Sequence, residues 1–167
     1  MTAKDKQAQV LKTVIKPLFK SQGFKVDRQT FYKPMTDFFI VANLQNFSWN
    51  TKDQVDFCFN IGIALTATVR DLLRKKAAYR DLTAHFREAS FLAESQLSDK
   101  YRTKSGYSIS SETDISEFST YIERNFSEYI LPELSKWKTL EDGMCFFDQS
   151  EFWGTHLRKA VATHTRS

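Results

Sequence analysis

The chain has 167 residues, enough for one globular domain with a hydrophobic core, and its apolar content of 41% and charged content of 26% are those of an ordinary globular protein. This composition excludes a disordered or fibrous chain. The net charge is only +4, and fifteen phenylalanines indicate an aromatic core. No apolar run approaches the roughly 20 residues that span a bilayer, and the chain does not open with a signal-peptide pattern. We therefore expect a cytoplasmic protein with no membrane partner.

The first predicted element is an amphipathic helix over residues 10–19, where apolar residues recur at helical spacing opposite a row of lysines. Pro17 lies inside this pattern and predicts a kink, because proline removes one backbone hydrogen bond. Gly23 is placed to end the helix, and Phe24 to fold back onto its last turn.

Three strands are predicted next, at residues 30–33, 37–47 and 55–65. In the last of these, apolar residues from Val55 to Leu65 alternate with smaller or more polar ones, which is the period of a strand with two different faces. The short polar connections between these stretches favour antiparallel hairpins over parallel crossovers.

The rest of the chain predicts a mixture of helices and strands. Residues 68–82 read as a basic helix whose inward residues are Val69, Leu72, Leu73 and Ala77. Residues 86–97 and 107–110 read as further strands.

Two helices follow. Asp114 with Glu117 has the form of a capping box and opens a long helix that runs through Pro132 with a second kink. Asp148 with Glu151 repeats that form and opens the last helix. The sequence thus predicts a single domain over residues 1–167 of the α+β class, with an antiparallel sheet of about four to five strands packed against flanking helices.

Several segments of residues 10–66 together resemble the bacterial domain-of-unknown-function family 4304. These are Leu18, Gly23-Phe24, Thr30-Phe31-Tyr32, Asn43-Leu44-Gln45 and Phe59-Asn60-Ile61-Gly62-Ile63. In the family they correspond to a helix ending in Gly-Phe, a Phe-Tyr hairpin, an Asn-Leu-Gln strand and a strand of the Phe-x-x-Asn type. The resemblance implies a fold and assigns no reaction, cofactor or site.

Common catalytic and metal-binding motifs are missing from the sequence. The five glycines are isolated from one another, which excludes a P-loop, and no Gly-x-Ser-x-Gly or His-Glu-x-x-His motif occurs. The two cysteines, Cys58 and Cys145, fit no zinc spacing, and we interpret His85, His156 and His164 as structural or solvated. We expect no catalytic residue, no metal and no cofactor.

The most informative polar pattern lies on two of the predicted strands. Asn43 and Gln45 share one face of the second strand, and Cys58 and Asn60 share one face of the third, with Gly62 leaving room beside them. If these faces coincide, amide, indole and guanidinium groups converge and can recognise a polar ligand. The candidate ligand-binding residues are Asn43, Gln45, Trp49, Asn60 and Arg87. The alternative is a sheet face that is polar because it meets water.

The leading functional hypothesis is a noncatalytic binding or interaction domain that uses this polar face for an unidentified ligand or protein partner. On this hypothesis, Asn60→Ala and Trp49→Ala impair binding and leave stability almost unchanged. A small enzyme whose catalytic residues are scattered along the sequence is the first alternative. A nucleic-acid-binding protein is the second, because residues 1–33 and 67–87 are basic. We expect no nucleic-acid partner, since hardly any aromatic residue lies among the cations.

Overall fold

A computed structural model describes residues 1–97 and 99–164, and its centre is an antiparallel sheet. The strands are β1 (Lys25–Asp27), β2 (Thr30–Pro34), β3 (Phe38–Asn46), β4 (Gln54–Leu65), β5 (Ala84–Arg87) and β6 (Tyr107–Ser110). The α-helices are α1 (Ala3–Val10), α2 (Lys16–Ser21), α3 (Glu94–Leu97), α4 (Ile115–Arg124), α5 (Leu131–Ser135), α6 (Leu140–Phe147) and α7 (Glu151–His164). The α+β class and the antiparallel sheet with flanking helices are confirmed, and none of these described helices is long and apolar enough to cross a bilayer.

Strand β4 organises the sheet, in which the strands follow one another in the order β1-β2-β3-β4-β5. One edge of β4 pairs with β3 along its length, from Asn46 opposite Phe57 to Phe38 opposite Leu65. The other edge is shared, because β5 pairs with residues 60–63 and β6 with residues 54–57. The sheet therefore has a break beside β4 at residues 58 and 59.

The alternation predicted for β4 separates the two faces of the sheet. The odd-numbered side chains from Val55 to Leu65 are buried in the main core, together with apolar residues of the helices. The opposite face of the sheet, termed the second face, carries a smaller cluster around Phe39, Val41 and Ala64. Val69 and Ala77 of the segment after β4 cover this cluster.

Pro17 and Pro132 both lie where a π-helical turn gives way to an α-helix. Residues 11–15 form such a turn between α1 and α2, and residues 125–130 form one between α4 and α5. Pro17 and Pro132 occupy the first turns of the helices that follow. The helical path continues through each proline, as expected, and the local change is a widened turn.

The predicted basic helix over residues 68–82 is wrong. The structure has only 3-10 turns at Thr66–Thr68 and Tyr79–Asp81, with irregular backbone between them. Val69 and Ala77 are buried as expected, but Leu72 and Leu73 are exposed. The physical reason is that carboxylates of this segment accept backbone N–H groups that a helix would use.

The predicted strand over residues 86–97 is also wrong in most of its length. Strand β5 ends at Arg87, and a 3-10 turn at Glu88–Phe91 and the short α3 follow it. Strand β1 and helix α6 were not predicted, and the first predicted helix begins earlier than expected, with α1 at Ala3. Helix α7 exists, but the Oγ atom of Ser150 accepts the hydrogen bond from the N–H of Trp153, so Asp148 is not the capping residue.

Candidate functional site

The register of the sheet brings the predicted polar residues onto the second face. Asn43 lies opposite Asn60, and Gln45 lies opposite Cys58. Asn60 is in turn opposite Arg87 of β5. Side chains that alternate on antiparallel neighbours share a face when their partners do. We call this surface the polar sheet face and define it by Asn43, Gln45, Phe47, Asp56, Cys58, Asn60, Arg87 and Ser108, together with Trp49, which stacks on Phe47 at its border.

Two amide groups of this face donate hydrogen bonds to neighbouring side chains. The amide nitrogen of Asn60 donates to Oε1 of Gln45 at 2.9 Å, and that of Asn43 donates to Oγ1 of Thr30 at 2.9 Å. Asn60 is only 3% exposed, whereas Asn43 and Gln45 are partly accessible. Because the oxygen of Gln45 points to Asn60, its amide nitrogen remains as a donor for a ligand. Asn60 therefore positions Gln45.

An aromatic platform with a cation borders the amides. The rings of Phe47 and Trp49 stack with centroids 4.7 Å apart and planes 6° apart. The guanidinium carbon of Arg87 lies 5.4 Å from the centroid of Phe47, within cation–π range. Trp49 is 57% exposed, which is unusual for so large an apolar side chain, and Arg87 is exposed as well. The platform presents an indole and a guanidinium to solvent.

Asp56 fixes the orientation of the indole. Nε1 of Trp49 donates to Oδ2 of Asp56 at 2.8 Å, and Oγ of Ser108 donates to Oδ1 at 2.7 Å. Partial burial acts to raise the pKa of Asp56, but these hydrogen bonds, with a further one from Gln54, outweigh it and lower the pKa. The carboxylate is thus ionised at neutral pH, which strengthens its bond to Trp49.

Gly62 and Cys58 lie on the same face but do not extend the candidate ligand site in the way that the sequence suggested. Gly62 leaves no room for a ligand, since a Cβ atom there would lie 1.9 Å from the carbonyl oxygen of Ala84 in β5. The space is used for close approach of two strands. Burial, and secondarily the charge of Glu88, raises the pKa of Cys58 to about 11. Its thiol is neutral at pH 7 and is a poor nucleophile.

A second polar cluster, which the sequence did not reveal, lies at the break in the sheet on the core side. Glu88 is completely buried, and its Oε1 accepts the N–H of Phe59 at 3.3 Å. This carboxylate takes the place of a strand neighbour for β4 and so ends β5. The only hint in the sequence is an acidic residue between the apolar Phe86 and Phe91.

Arg102 is the counter-ion of this buried carboxylate. Its Nη2 lies 3.9 Å from Oε2 of Glu88, and the two side chains are 3% and 0% exposed. At that distance the contact is an ion pair without a hydrogen bond, and Oε2 of Glu88 and Nη1 of Arg102 have no hydrogen-bond partner among the described residues. Burial raises the pKa of Glu88 to about 7, although Arg102 and backbone N–H groups act to lower it.

Tyr107 and Asn125 complete the buried cluster. The guanidinium carbon of Arg102 lies 4.6 Å from the ring centroid of Tyr107, whose hydroxyl accepts from Nδ2 of Asn125 at 2.9 Å. Burial raises the pKa of Tyr107 well above its ordinary value. All these groups are enclosed, so the cluster has no access for a substrate, and we assign it a structural role. Within the described part of the chain, no group of His, Cys, Asp and Glu is arranged to hold a metal.

The fold and the polar sheet face define an α+β protein with a helix-covered core on one side of an antiparallel sheet and an amide, indole and guanidinium cluster on the other. The chain belongs to the family described as domain of unknown function DUF4304, whose model matches residues 15–136. The match confirms the resemblance and extends it well past residue 66, through β5, β6, α4 and α5. Searches of curated proteins and of solved structures found no match.

Proposed function

We propose that this protein is a noncatalytic binding domain that recognises a polar ligand or a protein partner with its polar sheet face. The observation that carries the proposal is the convergence of Gln45, Trp49 and Arg87 on one accessible surface. The amide nitrogen of Gln45 can donate a hydrogen bond, the guanidinium of Arg87 supplies charge and further donors, and the ring of Trp49, whose N–H is held by Asp56, supplies a flat apolar surface.

The contacts that hold Trp49, Gln45 and Arg87 in place also favour a role in ligand recognition. Asp56 holds the indole of Trp49, Asn60 orients the amide of Gln45, and Phe47 lies under the guanidinium of Arg87. Side chains fixed before binding lose less conformational entropy when a ligand arrives. A face that is polar only because it meets water has no need of such fixed contacts.

The titratable groups of the same surface argue for binding without turnover. The pKa of Asp56 is lowered, and that of Cys58 is raised to about 11. Both pKa changes lead away from neutral pH, whereas proton transfer and nucleophilic attack work best with a pKa near the operating pH. Both cysteines are unpaired thiols, the state favoured in a reducing compartment, and we propose the cytoplasm as the site of action.

Loss of the accessible groups should weaken binding without unfolding the protein. We expect the double variant Gln45→Ala, Arg87→Ala to bind at least about tenfold more weakly, since removing two directional contacts typically costs more than about 1.4 kcal/mol. The measurement is equilibrium dialysis of purified protein against metabolite pools, with mass spectrometry identifying retained compounds. The melting temperature should fall by a few degrees, because Gln45→Ala leaves the amide nitrogen of the buried Asn60 without its acceptor, but the variant should remain folded at the temperature of the assay.

A matched control carries the same two substitutions far from the sheet. Gln9→Ala with Arg124→Ala removes the same residue types from exposed helical positions and should bind as the wild type does. Equal retention by the Gln45, Arg87 variant and the wild type would contradict the proposal. So would consumption of a retained compound at a rate that depends on one titratable residue. Asn60→Ala is not a suitable probe, because this residue is buried and its loss would also affect stability.

A further inference from the structure

The segment between β4 and β5 ends in a turn with two leucines at its tip. The backbone N–H of Arg74 donates to the carbonyl oxygen of Asp71 at 2.9 Å, which places Leu72 and Leu73 at the two central positions of a β-turn. These side chains are 95% and 72% exposed. The central positions of turns usually carry Gly, Pro, Asn, Asp or Ser. Two adjacent leucines at these positions expose apolar surface to water without an evident structural reason.

The turn is held in shape by its own acidic residues. Oδ2 of Asp71 accepts the N–H groups of Lys75 and Lys76 at 2.8 and 3.3 Å. The two carboxylate oxygens of Asp81 accept the N–H groups of Arg70 and Ala78 at 3.0 and 2.8 Å. Both carboxylates face the backbone of the loop, which fixes the leucines outward.

The base of the turn is attached to the sheet and its flanks are basic. Val69 and Ala77 pack on the second face, so the loop satisfies its need for burial without using the leucines. The side chains around the tip are exposed cations: Arg70, Arg74, Lys75, Lys76 and Arg80. The loop thus combines an exposed apolar tip with five exposed cations in the same segment.

We propose that residues 70–80 dock on an anionic lipid surface. Leu72 and Leu73 enter the boundary between headgroups and acyl chains, and the surrounding cations contact lipid phosphates. Apolar burial together with attraction to anionic lipid is the combination that holds proteins at a membrane interface without spanning it. The proposal revises the expectation of no membrane partner, which considered only apolar runs long enough to cross a bilayer. It is independent of the function proposed for the polar sheet face.

The two leucines at the tip favour a lipid surface over a nucleic acid as the partner of this loop. A phosphodiester backbone attracts the five cations but makes no use of two leucines at the apex. Stacking on bases requires aromatic side chains, and Tyr79, which is partly exposed, is the aromatic residue of this loop. A planar and deformable interface accommodates an exposed apolar tip, whereas a protein partner would need a matching pocket.

Vesicle cosedimentation tests the proposal with purified full-length protein. We expect binding to vesicles of equal parts phosphatidylcholine and phosphatidylglycerol, and little binding to phosphatidylcholine alone. Leu72→Ser with Leu73→Ser should weaken binding at least about tenfold, since each leucine loses its apolar burial. Lys75→Ala with Lys76→Ala should weaken binding and reduce its dependence on salt. Unchanged melting temperatures would show that each variant is folded.

A charge-matched control separates the loop from the overall positive charge. Lys12→Ala with Lys20→Ala removes two exposed lysines from the first helical segments and should bind like the wild type. The proposal is overturned if wild-type protein does not prefer anionic vesicles, if the leucine variant binds as well as the wild type, or if this control loses as much as the Lys75, Lys76 variant. Submicromolar binding to DNA or RNA at physiological salt, lost with Lys75 and Lys76 but not with the leucines, would assign the loop to nucleic acid instead.

Discussion

Replacing Phe59 or Phe126 with alanine should lower the free energy of unfolding by about 3 to 5 kcal/mol. Both rings are completely buried, and their centroids lie 4.9 Å apart with planes at 72°. Phe126 also contacts Phe19 edge to face, with ring centroids 5.6 Å apart. These rings therefore join β4 to the helical segment that ends in α2 and to the one that contains α4 and α5. Each truncation leaves a cavity that close-packed neighbours cannot fill.

Urea denaturation of the single and double variants checks this expectation. Because the two rings touch, the double variant should lose less than the sum of the single losses. Phe152→Ala is the control, since this ring is 68% exposed and its loss should cost less than about 1 kcal/mol. A loss below about 1 kcal/mol at Phe59 or Phe126 would show that the core is not packed as described.

The buried pair of Glu88 and Arg102 should produce opposite pH responses in two variants. Burial raises the pKa of Glu88 from 4.5 to about 7 in the folded protein. Between these values the folded state holds a proton that the unfolded state has released. The stability contributed by Glu88 is therefore fully present below about pH 4.5 and is lost as the pH rises through about 7.

Glu88→Gln replaces this residue with a neutral side chain that still accepts the N–H of Phe59. It should match the wild type at about pH 4.5 and exceed its stability above pH 7 by on the order of 3 kcal/mol, since the pKa of Glu88 rises from 4.5 to about 7 and each unit corresponds to about 1.4 kcal/mol. Arg102 stays charged in this variant, as it does beside the protonated Glu88 of the wild type at low pH, so the comparison isolates the ionisation of Glu88.

Arg102→Met should behave in the opposite way. Without the guanidinium, the pKa of Glu88 rises further, because Arg102 acts to lower it. The variant should lose about 3 to 5 kcal/mol above pH 7, where the carboxylate is buried and unpaired, and much less near pH 5, where it takes up a proton. Chemical denaturation at about pH 5 and about pH 8 measures both variants. A Glu88→Gln protein less stable than the wild type at the higher pH would show that the ion pair stabilises the fold.

The parts of the fold that the sequence predicts well are those determined by local periodicity. The alternation from Val55 to Leu65 predicts both faces of β4, and the Oδ1 atom of Asp114 does accept the N–H of Glu117 at the start of α4. Gly23 has φ +85°, and Phe24 packs on Phe19 with centroids 5.0 Å apart. Each of these features depends on residues that are close in sequence.

The errors occur where side chains bind backbone groups across a gap in the sequence. Asp71 and Asp81 hold residues 70–78 in an irregular loop, which a count of apolar spacing over residues 68–82 cannot detect. Glu88 ends β5 by binding β4, so the apolar residues after it read as more strand than exists. In both cases, side-chain carboxylates bound to backbone N–H groups determine the backbone conformation, whereas the apolar spacing alone predicts a regular helix or strand.

The candidate site likewise has features that local sequence spacing predicts and features that it does not. The spacing of Asn43, Gln45 and Asn60 predicts a shared face, because antiparallel hairpins fix which residues are opposite. The stacking of Trp49 on Phe47 and the burial of Asn60 depend on side-chain packing that spacing does not determine. The cluster of Glu88, Arg102 and Asn125 depends on three segments meeting at a break in the sheet, and no local pattern predicts that.

The indole Nε1–H of Trp49 offers the most direct test of the polar sheet face. In a ¹⁵N-labelled protein its resonance can be assigned from the Trp49→Phe variant and followed while metabolite pools are added. A binding domain of the kind proposed should show a shift of this indole resonance and of the backbone around Gln45, with the added compound recovered unchanged. A compound that binds with all of its shifts elsewhere in the protein, or that is converted to product, would contradict the proposed function.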